Sequence, residues 1–518
     1  MANEKSQRKL VLHFDARNTL FLSDKSYRFT VEEALNSYIT GIVWGHLRNE
    51  LMETVNQEPS ENDSNLQDKS MIPSHSLSSA SSSSPVDDSV SDYSMSITDE
   101  INGNGTQQPS KIHVTDDMKE NHSIPAESKL NLNQKTNKLK DYIKEIDCKS
   151  GIITSVNTQS HHRQPYAGEN FENLTSSELN HFKSTLACWN RLPESPCIRQ
   201  PQPDAISIYK LLERQIVKTS SDRGRLRKYL GNFTQTPEGI PFLNLFTEHL
   251  ELLKLTPEEC INTPYCLRVK SGKNDDNDNS NNVSNNSYHY LMPAFYRLLT
   301  WLIDSNRQFA IFIRTYGRDG EHILSAVEAY VNGEHPQEKP PVNAKYLLPI
   351  DFTKWYLKRS ETQPIFHLYK ESEQQTTDDV KQLIEISHNP NEIYNLWSKQ
   401  IGAVSVIDDF AYWQAHNYHY KSSKPIWFNP EDKTVQHILF DDNIRFEDDG
   451  SNVIDLQYLE ENGSSSNSYS LDMNEVMKWE NIYYVQADLL QIIRNRNYFI
   501  DKVCECETNL NRVQSELL

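Results

Sequence analysis

Four apolar segments of this sequence end on polar residues of the types that bind or attack ligands. The first covers residues 10–12 and runs into a polar string at 15–19. The other three end on polar residues at 314–315, 408–409 and 441–442. Because open α/β folds bind ligands at the carboxyl edge of the sheet, we expect these four ends to meet there. Strands that bring carboxylates, a hydroxyl and an arginine to one edge predict an active site, or the remains of one.

The elements that must position these ends alternate along the chain. One strand is predicted to run from the apolar residues 10–12 to the carboxylate of Asp15, and others are predicted at 309–314, 403–407 and 436–440. Helices are predicted at 30–47 and in a segment with Pro293 near its start and apolar residues from Leu291 to Leu302. A terminal helix is predicted to carry Val485, Leu489, Ile492 and Ile493. Thr30 and Glu33 form a capping box at the start of the first helix. Helices between strands predict an α/β fold with a Rossmann-like, mostly parallel sheet and right-handed crossovers.

Two further stretches interrupt this alternation. Residues 52–165 are rich in Ser, Asn, Gln, Asp and Lys, and they cannot bury enough apolar surface to offset their ordering entropy. We expect a disordered insertion there, with a weak helix at 139–146, that offers a docking segment to a protein partner. Apolar residues recur at helical spacing over 166–270, and a polar loop follows at 274–287. The predicted division is 1–51 and 290–518 for the core, 52–165 for the disordered insertion, and 166–289 for a mainly helical insert.

The composition limits the classes of partner. The 518 residues carry a formal net charge of −20, which argues against nucleic acid because binding to phosphates needs clustered cations. No apolar stretch is long enough to span a membrane, and the N-terminal residues lack a secretory apolar region. Seven cysteines without regular spacing suit reduced thiols. We therefore expect a soluble cytoplasmic protein without a membrane or nucleic-acid partner.

The polar ends, taken in chain order, resemble the motifs of the haloacid dehalogenase-like (HAD) superfamily. That family consists largely of phosphatases and phosphotransferases on a Rossmann-like sheet. Its first motif is Asp-x-Asp-x-Thr, and Asp15 and Thr19 match its first and last positions. Its second motif ends a strand on Ser or Thr, its third is a lysine often followed by Pro, and its fourth is a pair of acids. Matching residues are Thr315, Lys424 before Pro425, and Asp441 with Asp442.

The resemblance implies a role for each residue. Asp15 would attack phosphorus and form an aspartyl-phosphate, which divides one displacement into two easier ones. Thr315 and Lys424 would bind the equatorial oxygens of the transferred group, where charge develops. Mg²⁺, the expected cofactor, would be held by Asp15, by Asp441 or Asp442, and by the carbonyl of residue 17. Asn18, Thr19 and Arg314 are further candidate contacts to a phosphorylated substrate, and the helical insert would act as a cap.

Arg17 departs from the family pattern. The family's phosphatases carry an Asp there, which protonates the leaving group and later activates water. Arginine remains protonated and can do neither, although it can bind a phosphate or carboxylate through two hydrogen bonds. An ion pair with Asp15 or Asp441 is the alternative role for this side chain.

Simpler structural roles remain open for the other candidates. Asp15 could cap the next turn, and Thr315 could form a turn before Gly317. Lys424 could be an exposed lysine, and Lys421 is the second candidate for the lysine of the third motif. Asp408 and Asp409 match no motif and are predicted to cap the following helix.

Two functions from different classes follow. The first is an Mg²⁺-dependent phosphatase or phosphotransferase that works through an aspartyl-phosphate on Asp15. The second is a catalytically retired HAD-like interaction protein, with Arg17 in place of the general acid/base and the long insertion serving for docking.

Overall fold

The structure is a computed structural model that describes part of the chain. The described residues are 8–22, 29–48, 174–217, 220–256, 259, 266–268, 287–360, 365–375, 381–446, 452–460 and 468–516. The chain divides into two compact units, 1–62 together with 171–518, and 63–170. The second unit lies outside the described residues. So do the predicted disordered insertion at 52–165, its weak helix at 139–146, and residues 274–286 of the predicted polar loop.

Within the described residues the chain forms seventeen strands and thirteen α-helices. The strands are β1 (Lys9–Asp15), β2 (Trp44–Leu47), β3 (Trp189–Arg191), β4 (Ile206–Ser207), β5 (Lys254–Leu255), β6 (Cys266–Arg268), β7 (Ser287–His289), β8 (Phe309–Thr315), β9 (Ile350–Arg359), β10 (Phe366–Gln375), β11 (Lys381–Ser387), β12 (Gly402–Ile407), β13 (Lys424–Phe428), β14 (Val435–Asp441), β15 (Ile454–Leu459), β16 (Ser468–Ser470) and β17 (Tyr484–Gln486). The helices are α1 (Val31–Ile42), α2 (Ser176–Ala187), α3 (Ile208–Ile216), α4 (Ser220–Leu230), α5 (Leu243–Leu253), α6 (Pro293–Asp304), α7 (Gly320–Val331), α8 (Ala344–Leu347), α9 (Pro390–Lys399), α10 (Phe410–Ala415), α11 (Met473–Val476), α12 (Leu489–Arg494) and α13 (Tyr498–Glu516). None of the helices in the described part of the chain has the length and apolar character needed to cross a membrane.

An eight-stranded sheet organises the molecule. Its strand order is β11-β10-β9-β12-β8-β1-β14-β17. The pairings from β9 through β12, β8, β1 and β14 to β17 are parallel, and only β9–β10 and β10–β11 are antiparallel. The predicted mixed α/β architecture with a mostly parallel sheet is therefore confirmed. The four predicted strands are adjacent, with β1 between β8 and β14.

Both faces of the sheet are covered, as expected for a parallel sheet. On one face Phe14 stacks on Phe440 at a ring separation of 4.9 Å and meets Phe295 of α6 and Phe499 of α13 edge to face. On the other face Val11 belongs to a buried cluster of side chains that includes Trp397 of α9 and Trp427 of β13. Side chains alternate along a strand, so Asp15 lies on the same face as Val11.

Smaller sheets surround this core. Strand β13 pairs in parallel with β15, and β16 extends that sheet on the far side. Strands β3-β2-β4 and β5-β7-β6 form two antiparallel sheets. The stretch 174–256, for which a helical insert is predicted, contains helices α2–α5 and the short strands β3–β5.

Two predicted helices need correction, and one group of strands is additional. The first helix has the predicted capping box at Thr30 but ends at Ile42, because Val43 is extended and the next residues pair as β2. The prediction that Val485 belongs to the terminal helix is wrong, because Val485 lies in strand β17. The helix that contains Leu489 starts at that residue and is capped by Asp488. Strands β9–β11 carry no counterpart in the sequence prediction.

Candidate functional site

The carboxyl ends of the central strands bring the first candidate residues together. Asp15 is the last residue of β1, and Asp441 is the last residue of β14. The register places Phe14 opposite Phe440, so the two aspartates that follow are neighbours across the parallel ladder. On the other side Asp15 pairs with Arg314 of β8. The predicted meeting of the polar strand ends at one edge is confirmed for these strands.

Lys424 joins the two aspartates. Its Nζ donates to Asp15 Oδ1 at 2.5 Å and to Asp441 Oδ2 at 2.8 Å. The side chain is only 1% exposed, so the alternative of an exposed Lys424 is wrong. Lys421 is the exposed lysine of this segment and contacts the ring of Tyr420 instead.

Two buried arginines fix the backbone on either side of Lys424. Arg359 donates to the carbonyl of Ser423 at 2.9 Å. Arg314 donates to the carbonyl of Pro425 through both terminal nitrogens at 3.3 Å. Because the carbonyls before and after Lys424 are held, the lysine enters the site from a rigid strand end.

Each arginine is in turn held by a buried aspartate. Arg359 pairs with Asp455 of β15 at 2.6 Å, and both side chains are almost fully buried. Arg314 pairs with Asp408 through two hydrogen bonds, of 2.9 Å and 2.5 Å. In each pair, the attraction between the charges and their hydrogen bonds offsets the desolvation cost of burying them.

The geometry assigns Arg314 and Asp408 a different role from the predicted ones. Arg314 is a predicted substrate contact, but its side chain is fully buried and its guanidinium is committed to Asp408 and to Pro425. The predicted cap holds for Asp409, which accepts from the backbone N–H of Tyr412 in α10. Asp408 is the ion-pair partner rather than the cap.

A tight turn after β14 presents the second acid of the pair. Asp441 Oδ1 accepts the backbone N–H of Asn443 at 2.9 Å. Asp442 accepts from the side-chain amides of Asn443 and Asn18, each at 3.0 Å. Asn18 adopts a φ of 59°, a left-handed conformation that asparagine tolerates better than most residues. Asn18, a predicted substrate contact, therefore positions Asp442.

Among the described residues, the cluster holds three carboxylates and one ammonium, so its negative charge exceeds its positive charge. Oxygens of Asp15, Asp441 and Asp442 lie within 4.8 Å of one another. Burial lowers the pKa of Lys424, but the charges of Asp15 and Asp441 outweigh that effect and raise it above its ordinary value. Burial and the charge of Asp15 raise the pKa of Asp441 to about 6 against the opposing effect of Lys424. Burial, Asp15 and Asp441 together raise the pKa of Asp442 to about 8.

This charge surplus fits a hard divalent cation. Mg²⁺ prefers carboxylate oxygens and water in octahedral geometry, and it binds one or two carboxylates in most protein sites. Asp441 is fully buried against Lys424, whereas Asp15 and Asp442 are partly exposed. Asp15 and Asp442 are thus the residues that would hold the ion, whereas Asp441 accepts a hydrogen bond from Lys424.

The remaining candidates lie in the turns beside the cluster. Thr315 Oγ1 accepts the backbone N–H of Gly317 at 2.9 Å, which is the structural turn role, and its hydroxyl hydrogen remains available to an anion. Thr19 is fully buried, and among the described residues its Oγ1 has no hydrogen-bond partner. Arg17 is half-buried, and its backbone forms an isolated β-bridge with Phe21 in the turn that follows β1.

Sequence reasoning missed one aromatic residue at the site. The ring of Tyr316 lies 4.9 Å from Lys424 Nζ and stacks on Trp413 at 5.1 Å. Its hydroxyl is buried without a hydrogen-bond partner among the described residues, and burial raises its pKa well above the usual value. The only signal in the sequence is its position directly after Thr315.

Comparisons of this chain with protein families, with curated proteins and with solved structures give no match. The fold itself defines the class: an α/β protein whose mostly parallel sheet ends in a carboxylate–lysine cluster. Such a cluster combines two partly exposed carboxylates, a buried carboxylate and a fixed ammonium.

Proposed function

We propose that this protein is a HAD-like, Mg²⁺-dependent phosphatase or phosphotransferase that forms an aspartyl-phosphate on Asp15. The observation that supports it most is the ammonium of Lys424, which contacts Asp15 at 2.5 Å and Asp441 at 2.8 Å. These residues come from distant parts of the sequence and correspond to the first, third and fourth motifs of the resemblance. A structural role alone does not require one lysine to join two strand-end acids beside a third.

Asp15 is the proposed nucleophile, and the surroundings of its carboxylate support that role. Lys424 donates a hydrogen bond to Oδ1 of Asp15, and no described residue donates one to Oδ2. Oδ2 attacks phosphorus, the bond from phosphorus to the leaving oxygen breaks, and the electron pair departs with that oxygen. Water then attacks the aspartyl-phosphate, which releases inorganic phosphate, returns the carboxylate and gives a proton to solvent.

The neighbouring residues bind and orient the transferred group. Lys424 supplies a fixed positive charge at the point where the phosphoryl oxygens meet the nucleophile. Thr315 offers its hydroxyl hydrogen from the end of β8. Mg²⁺, when bound by Asp15 and Asp442, would neutralise charge on the phosphoryl oxygens.

Arg17 determines which phosphate esters are suitable. A positioned general acid or base contributes about 10²–10⁴-fold to a rate, and arginine cannot transfer the proton. We therefore expect leaving groups that depart without a proton, such as aryl or acyl phosphates. The second displacement lacks its base for the same reason, so the aspartyl-phosphate on Asp15 should accumulate.

A retired HAD-like interaction protein is the second candidate, and Arg17 is the observation that favours it. A permanent cation in place of the acid/base would bind an anionic partner and would not turn over a substrate. The two candidates differ in whether Asp15 becomes phosphorylated.

The test is a stopped-flow assay of an aryl phosphate with Mg²⁺, followed by acid quenching and peptide mass spectrometry. We expect a burst of phenolate, about one per enzyme, then slow turnover, and a phosphorylated peptide that contains Asp15. Asp15→Asn should abolish both signals. Asp472→Asn is the matched control, because Asp472 is an exposed helix cap and Asn caps equally well.

Arg17→Asp separates the two candidates. In an active enzyme it should remove the burst and raise steady-state turnover by about 10²-fold, because the second step gains a base. An inert wild type with an active Arg17→Asp variant would establish the retired protein. The absence of both phosphorylation and turnover in both proteins would refute the enzyme proposal.

A further inference from the structure

A second cluster of ligand-type side chains lies on the antiparallel edge of the large sheet, away from the strand ends. It consists of His367 on β10, Glu385 on β11, and His388 directly after β11. One nitrogen of each histidine and one oxygen of Glu385 lie within 4.8 Å of one another. Among the described residues, this group and the Asp15 cluster are the two that bring three such ligand atoms together.

A β-bulge is what places the three side chains on one face. Leu368 pairs with Ser387, whereas Tyr369 pairs with Glu385, so Ile386 is the extra residue. In a regular strand, residues 385 and 388 would point to opposite faces, because side chains alternate. The bulge reverses that parity and turns Glu385 to the outer face with both histidines. Bulges often re-aim side chains in this way beside functional sites.

The ligand atoms converge on one point. His367 Nδ1 lies 2.9 Å from Glu385 Oε1, and His388 Nδ1 lies 3.1 Å from the same oxygen. In a tetrahedral zinc site, bonds of about 2.0–2.1 Å place ligand atoms about 3.4 Å apart. Each nitrogen–oxygen distance therefore needs to open by only a few tenths of an ångström when an ion replaces the shared hydrogens.

We propose that His367, Glu385 and His388 form a binding site for a zinc-class divalent ion with one position open to water. Two imidazoles and a carboxylate suit zinc, and they are poor ligands for Mg²⁺, which prefers oxygen. The side chains are 25%, 41% and 69% exposed in that order, so an ion can enter from solvent. This site is independent of the proposed phosphoryl chemistry.

The surroundings accommodate the added charge. Lys358 pairs with His367 across β9 and β10 and is the cation directly opposite the site. Its ammonium lies 3.8 Å from Asp409, which holds it towards the neighbouring helix. The ring of Tyr369 stacks beside His367 at a ring separation of 6.1 Å. Bound zinc would link the C-terminal end of the edge strand β11 to β10.

The test is calorimetric titration of zinc into the untagged full-length protein after treatment with a chelator. His388→Ala and His367→Ala should each weaken the zinc affinity at least about tenfold, since even indirect partners of a metal contribute that much. His181→Ala, which removes an exposed histidine on α2, is the matched control and should leave the affinity unchanged. Mg²⁺ in excess should not compete for this site.

A second readout reports on the edge strand itself. Zinc should slow hydrogen exchange of the β11 amides in the wild type and in His181→Ala, and should have no such effect in His388→Ala. Asp442→Asn should weaken any zinc binding at the Asp15 cluster and should leave this protection intact. Equal zinc isotherms for wild type and both histidine variants, or no binding by the wild type, would overturn the proposal.

Discussion

Replacing Lys424 with methionine tests the centre of the site, because among the described residues it removes the one ammonium in contact with Asp15 and Asp441. Lys424 is 1% exposed and Asp441 is fully buried, so water cannot take the place of the lost charge. Breaking a buried ion pair from one side costs about 3–5 kcal/mol. We expect the free energy of unfolding to fall by about that amount at pH 8 in the presence of a chelator.

The difference in the free energy of unfolding between the wild type and Lys424→Met should become smaller as the pH is lowered. Without the ammonium, the pKa of Asp441 rises further above about 6, its value in the wild type. The ordinary value in an unfolded chain is about 3.9, so between these limits the folded variant binds more protons than the unfolded chain. Its stability is therefore lost as the pH rises and recovered as the pH falls from 8 towards 5.

Urea denaturation followed by tryptophan fluorescence at pH 8 and pH 5 provides the measurement. Lys421→Met is the matched control and should stay within about 0.5 kcal/mol of wild type, because Lys421 is exposed. Combining Lys424→Met with Asp441→Asn should recover part of the loss, since it removes both partners. A Lys424→Met variant as stable as wild type at pH 8, or less stable at pH 5 than at pH 8, would refute the reasoning.

Three further outcomes are expected. In a chelator, wild-type stability in urea should fall as the pH rises from about 4 to 8, because the pKa of Asp442 is raised to about 8, and Asp442→Asn should flatten this slope. Arg314→Met should cost about 3–5 kcal/mol in the same assay by leaving Asp408 unpaired, and Asp408→Leu in the same chain should recover part of it. Gly402→Ala should lower the thermal midpoint, because φ is +76° there and a Cβ would overlap the carbonyl of Pro349; a midpoint equal to wild type would contradict this.

The strand ends could be predicted because their signal is local. Each core strand is a short apolar run that stops at a polar residue, and the pattern located β1, β8, β12 and β14 to within a residue or two. The capping box at Thr30 is equally local. These features depend on the chain's own alternation and hydrogen bonding, which a single sequence displays.

The burial of Lys424 could not be predicted, because it depends on contacts between distant residues. The residues that precede it are polar and resemble a solvated loop, although an apolar run follows at 425–428. It is buried because Arg359 and Arg314 hold the adjacent carbonyls, and each arginine needs its own aspartate partner. The bulge at Ile386 is likewise defined only by the pairing of β10 with β11.

The site also has a consequence for synthesis. Asp15 and Lys424 are 409 residues apart in the chain, and β1 needs β8 and β14 on its two sides. At about 5–20 residues per second, a ribosome needs roughly 20–80 s to make the residues between them. Until β8 is made, β1 is an apolar strand with two open edges, and Asp15 meets its lysine only after residue 424 has been made. A chain cut short before β14 would leave this strand open to pairing with another molecule, so truncated products should aggregate rather than remain as folded fragments.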